Sequence, residues 1–172
     1  LALARIGGAG PARAAAALLA LVWLAVAWLF FVERYAVINW AAEYMAWGFA
    51  LEALLLAGAA ARPRVLAFLA ERNAVQSIAR CLILGAVFLY PLIAPAMGRA
   101  WRQAEFFALA PDPTALAALG AALLFPRRAM WLLLPLPVLW CIVGGATLWA
   151  MKAPEAPLLP AAALLALGLA IA

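Results

Sequence analysis

The sequence predicts an all-α, polytopic transmembrane helical bundle. Hydrophobic residues make up 72% of the 172 positions and charged residues 11%, whereas a soluble domain is nearer half apolar and about a quarter charged. Mean hydropathy is +1.11, and apolar runs recur along the whole chain. The runs do not alternate. "AAAALLALVWLAVAWLFF" lacks the period of two that a barrel strand shows. A helix satisfies its own backbone in hydrocarbon and needs about 20 apolar residues to cross it.

Six segments follow in order, within one domain over 1–172. The first runs about 14–32. Ala25-Val26-Ala27 resembles a signal-peptide cleavage site, but the apolar run continues through Trp28 to Val32, which favours a retained helix. The second runs about 40–61, with Asn39 placed to cap it and Glu43 in its first turn, near the positive end of the helix dipole. The third runs about 74–94 and is interrupted by Pro91. The fourth, about 106–125, contains Pro111-Asp112-Pro113-Thr114, a helix-start pattern, so its helix runs from about 113 or from upstream near 106. The fifth, about 129–151, carries Pro135 and Pro137 and then Gly144-Gly145. The sixth, about 157–172, is still apolar where the sequence stops. The opening "LALAR" has no Met and reads as the close of an earlier helix, so the expectation is a truncated seven-span protein.

Charge placement gives an orientation. Arg5, Arg13, Arg62, Arg64, Arg72, Arg127 and Arg128 fall on one side, expected to be cytoplasmic. The loops 33–39, 95–112 and 152–156, with most of the acidic residues, fall on the other. The expected location is a bacterial inner membrane, with the start of the 14–32 helix cytoplasmic. Eleven Arg and one Lys, with abundant Ala and Leu, suggest a GC-rich bacterial gene. The net charge of +5 is scattered between apolar runs and forms no basic face, which excludes nucleic acid as a partner. The expected partners are membrane lipids and other membrane proteins, or a second copy.

Two groups of residues are candidate sites. Glu52 lies about a dozen residues into the second segment, where an acid costs roughly 2.5–3.5 kcal/mol and needs a partner. Arg80 is at similar depth on the third segment, and a short loop between the segments predicts antiparallel neighbours. An intramembrane Glu52–Arg80 pair is therefore expected, fixing register or relaying protons. The second group is a polar cluster on the outer face: Glu33, Arg34, Asn39, Glu43, Arg99, Arg102, Glu105 and Asp112. Glu43 and Glu52 are nine residues apart, about 180° around a helix, so they do not form a paired-carboxylate site.

Enzyme signatures are missing. The chain has no His, hence neither the commonest metal ligand nor the usual general base. There is no glycine-rich nucleotide loop and no metal-spaced carboxylate set. Cys81 and Cys141 lie in apolar runs and read as small buried hydrophobes. No catalytic residue, metal or cofactor is expected.

Three stretches, "FFVERYAVINWAAEYMAWGFALEALLL", "YPLIAPAMGRAW…FFALAPDPTALAALGAALL" and "LPLPVLWCIVGGATLW", resemble in order and spacing a family of bacterial multi-pass membrane proteins known as domain of unknown function 6064 (DUF6064). Its most specific points here are Ile38-Asn39, Tyr90-Pro91, Pro111 to Thr114, and Trp140 followed by Gly144-Gly145. Many members carry Gly-His where this chain has Gly98-Arg99, and Cys in place of Asp112, so a metal or thiol role at those positions does not carry over. The resemblance implies a fold and supplies no activity. The leading expectation is a non-enzymatic accessory or scaffold subunit. The alternatives are a small-solute, ion or proton transporter or channel using Glu52 and Arg80, and a lipid-modifying enzyme working at the outer polar cluster.

Overall fold

The computed structural model describes residues 9–62 and 74–171. Among them all regular structure is helical. α1 (Ala9–Ala25) runs on into a π-helical stretch, Val26–Tyr35, and α2 is Ala42–Ala60. α3 (Ala74–Leu84) continues through a π stretch (Gly85–Leu89), a 3-10 turn (Tyr90–Leu92) and the short α4 (Ile93–Ala96). Then come a 3-10 turn (Trp101–Gln103), α5 (Pro111–Leu123), α6 (Arg127–Leu133), α7 (Pro135–Ala150) and α8 (Leu158–Ile171). Three stretches are long and apolar enough to cross a membrane: Arg13–Tyr35, Ala74–Ala96 and Arg127–Ala150. Leu158–Ile171 is a shorter apolar helix. The expected helix end before Arg5 lies outside the described residues, as do Arg5, Arg64 and Arg72.

Local chemistry explains the joints. Between α1 and α2, the Asn39 side-chain Oδ1 accepts from the Ala41 N–H at 3.0 Å, and its carbonyl accepts from Ala42 N at 3.0 Å. Pro91 has no N–H to give the preceding turn, and the helix widens and then tightens around it. At Leu134 the backbone stays helical, φ −75° and ψ −35°, so α6 and α7 form one continuous helical stretch despite Pro135 and Pro137.

One expected boundary changes. The fourth helix begins at Pro111 rather than near 106. Ala110 is extended, φ −122° and ψ 148°, as a residue before proline prefers. Ala108 sits at φ 72°, which breaks any helix upstream. α5 has 13 residues, about 20 Å at 1.5 Å each, well short of a roughly 30 Å hydrocarbon core.

α5 is the centre of the bundle. Residues 111–120 are all buried, and α3, α7 and α8 pack around them. α2 packs instead on α1 and its π stretch. Trp23 and Phe49 stack at 4.2 Å, and Trp140 of α7 meets Phe31 at 5.2 Å and Phe49 at 5.3 Å. This aromatic cluster joins the two halves. Outward faces are apolar, with Leu18, Leu21, Leu24, Trp28, Leu139, Ile142 and Leu164 exposed. Helices approach closely at Gly120, where a Cβ would lie 2.5 Å from the Ala79 carbonyl oxygen.

That contact makes a prediction. Gly120→Ala forces α3 and α5 apart and should cost about 1–3 kcal/mol, read as a lower thermal midpoint in detergent. Gly48→Ala, with nothing within 4 Å of the new Cβ, should be neutral or slightly stabilising through helix propensity.

Candidate functional site

The site forms where α5 begins. Pro111 and Pro113 suit a first helical turn because their missing N–H groups have no partner there anyway. The Thr114 hydroxyl donates to the Ala110 carbonyl at 2.7 Å and accepts from the Ala108 N–H at 3.1 Å. This knots the approach and holds Asp112 in the first turn, at the positive end of the helix dipole.

The Asp112 carboxylate is 7% exposed. Its Oδ2 accepts from the Tyr90 hydroxyl at 3.2 Å, and its Oδ1 accepts from the Trp140 indole N–H at 2.8 Å. One side chain of α5 thus ties the Tyr90–Leu92 turn to α7. Gly144 follows Trp140 by one turn, and a Cβ there would lie 3.0 Å from Asp112 Oδ1. The small residue leaves room for the carboxylate.

A second layer surrounds this tie. Arg99 follows Gly98, whose φ of +74° turns the chain, and it forms an ion pair with Glu155. The Glu155 side chain is 7% exposed and that of Arg99 is 40%. Glu105 sits between them and Asp112. Burial, and then the charge of Asp112, push its carboxyl up from 4.5 to about 7, with Arg99 opposing and Glu155 reinforcing. Oε2 of Glu105 and Oε2 of Glu155 are both buried and have no hydrogen-bond partner. Glu105 and Glu155 therefore share one guanidinium, with the charge of Asp112 nearby. The described residues include no group of three His, Cys, Asp or Glu positioned to hold a metal ion. The arrangement suits holding positive charge more than nucleophilic chemistry.

Of the expected polar cluster, the structure brings together Arg99, Glu105 and Asp112. Asn39 is a turn cap. Glu33 and Arg34 line a separate recess of about 390 Å³ with Ala108 and Leu109. Glu43 and Arg102 are exposed. Tyr90, Trp140 and Glu155 were not among the expected site residues. Tyr90 and Trp140 carried a signal, each being among the points that resemble the family, and Glu155 carried only its charge in a loop.

The expected Glu52–Arg80 ion pair is not formed. Glu52 is 1% exposed and its Oε2 has no hydrogen-bond partner. Arg80 donates to Gln76 Oε1 at 3.3 Å, one turn back on its own helix. The reason is packing: α2 lies on α1, whereas α3 lies on α5, so the short connection between α2 and α3 does not make them packing partners.

The chain belongs to the family described as a family of unknown function, DUF6064, whose model matches residues 8–172. No curated protein and no solved structure matches it.

Asp112→Ala leaves the Tyr90 hydroxyl and the Trp140 N–H buried without an acceptor, which should cost about 2–5 kcal/mol in total. In a double-mutant cycle, Asp112→Ala and Trp140→Phe should couple by about 1–3 kcal/mol, because they remove the same bond.

Proposed function

We propose that this chain is a non-enzymatic, multi-pass bacterial inner-membrane protein that serves as an accessory subunit, packing in the bilayer against other membrane proteins. The carrying observation is where the polar groups go. Asp112 is engaged by helix-to-helix hydrogen bonds, and Glu52 is sealed at 1% exposure. The outward faces of α1, α7 and α8 are broad and apolar, the surface that lipid and neighbouring membrane helices accept.

On this reading six elements cross: α1, α2, α3 with α4, α5, α6 with α7, and α8. α5 is compatible with crossing although it is short. Its first ten residues are all buried, so it faces protein rather than lipid and need not match the hydrocarbon thickness. The loops carrying Glu33–Arg34, Arg99–Glu105 and Glu155 gather at one end, as an even number of crossings between them requires. We place that end outside and Arg127–Arg128 in the cytoplasm.

One observation favours transport as a second reading. Glu52 is buried in a helix with an unpartnered oxygen, and intramembrane acids often mark ion or proton paths. The lipid-modifying reading has less behind it, because Arg99 is engaged by Glu155.

Purification in gentle detergent or nanodiscs, with mass spectrometry of what accompanies the chain, tests the accessory reading. A stoichiometric membrane-protein partner is expected. A lone homo-oligomer with proton or ion flux abolished by Glu52→Gln would replace it with transport. For topology, single cysteines at Glu43 and Lys152 in a cysteine-free background should label from outside, and one at Arg127 only after permeabilisation. Labelling of all three from one side would contradict the six crossings.

A further inference from the structure

We propose that Glu105, with Asp112 and Glu155 near it, forms a proton-binding site at the loop end of the bundle, and that the bound proton holds the two loops flanking it together. Three geometric facts carry this. First, the charges do not balance. Glu105 in the loop before α5 feels the charges of Asp112 on α5 and Glu155 in the loop before α8, against one opposing cation, Arg99 from the loop after α4, which is already paired with Glu155. The remaining polar neighbours, the Tyr90 hydroxyl and the Trp140 N–H, are neutral and already donate to Asp112.

Second, two carboxylate oxygens lack donors. Glu155 is 7% exposed at its side chain, and only its Oε1 meets Arg99. Its Oε2, like Glu105 Oε2, is buried and unpartnered. Leaving such atoms ionised away from water is costly. A proton removes one of the three negative charges and turns one carboxyl into a donor, so it relieves both defects. Third, the ligand is small. The described carboxylates are not arranged to hold a metal ion, and the orphan oxygens are closed to solvent. A proton fits where a larger cation does not.

The upward displacement of the Glu105 carboxyl to about 7 agrees with this geometry. Its consequence for stability has a definite sign. A carboxyl raised on folding binds its proton more tightly in the folded chain than in the unfolded one. Its contribution is complete below about 4.5, falls as pH rises, and is gone above about 7. Above that pH, Glu105 repels Asp112 and Glu155, and Arg99 is shared between Glu105 and Glu155. The 97–110 loop and the 151–157 loop, joined by the Arg99–Glu155 pair, then loosen together.

Infrared difference spectroscopy of the protein in nanodiscs, titrated between about pH 5 and pH 9 to bracket the shifted carboxyl, reads the site directly. The expected result is one protonated-carboxyl band that disappears with a midpoint near 7 and is absent in Glu105→Gln. Thermal stability should fall with rising pH over the same window in the unaltered chain and stay flat in Glu105→Gln. The proposal is overturned if the unaltered chain shows no carboxyl titrating in that window, or if the band and the stability slope persist in Glu105→Gln. The first arm uses the unaltered protein, so the test holds even if the variant fails to fold.

Discussion

The structure depends on one carboxylate placed at the start of a buried helix. Asp112 opens α5, the helix that the rest of the bundle wraps, and accepts hydrogen bonds from both Tyr90 and Trp140. Among apolar helices in hydrocarbon, burial gives little preference for one neighbour over another, because lipid tails are as apolar as leucine. A polar tie with two donors on different segments supplies that preference. Trp140 extends it: its N–H holds Asp112 while its ring packs on Phe31 and Phe49, which carries the constraint to α1 and α2. The glycines complete it. Gly144 leaves room for the carboxylate, and Gly120 lets α3 approach α5 closely.

Much of this was legible in the sequence. Hydropathy placed the long helices among the described residues, three of them long and apolar enough to cross a membrane, because long uninterrupted apolar runs leave a plain mark in a sequence. The role of Asn39 was legible in part: its side chain closes the turn before α2 by accepting from the Ala41 N–H, but it does not cap the helix, whose first turn has no side-chain cap. The start of the fourth helix was legible in Pro111-Asp112-Pro113-Thr114, while the apolar Phe106 to Leu109 stretch also allowed an earlier start that Ala108, at positive φ, excludes. Helix neighbours were not legible at all. Glu52 and Arg80 lie at similar distances from the facing ends of consecutive apolar segments in the sequence, yet α2 and α3 pack against different helices. Hydropathy fixes depth along the membrane normal and leaves azimuth free. The same gap hid the donors of Asp112, since no spacing rule connects residues 90, 112 and 140.

The polar groups divide by the work they do. Asp112 holds helices together with its bonding capacity filled. Glu52 is equally buried, with an oxygen unfilled, and marks the place where a purely structural account has least to say. Glu105 and Glu155 lie between these extremes, each buried on one oxygen and each within the field of a single arginine. A bundle serving only as inert filler would gain from replacing these groups with apolar side chains.

The central claim is that the Asp112 carboxylate captures the Trp140 indole, and the indole proton reports on it directly. With the chain in detergent or nanodiscs and its tryptophans labelled with nitrogen-15, the Trp140 Nε1–H signal, assigned with Trp140→Phe, is followed during solvent hydrogen exchange. The account predicts a slowly exchanging proton whose resonance moves and whose exchange accelerates in Asp112→Ala, while signals of exposed indoles such as Trp149 stay in place. An unchanged shift and exchange rate for Trp140 in that variant, with the fold retained, would show that the tie is not made and that something else holds α5 to α7.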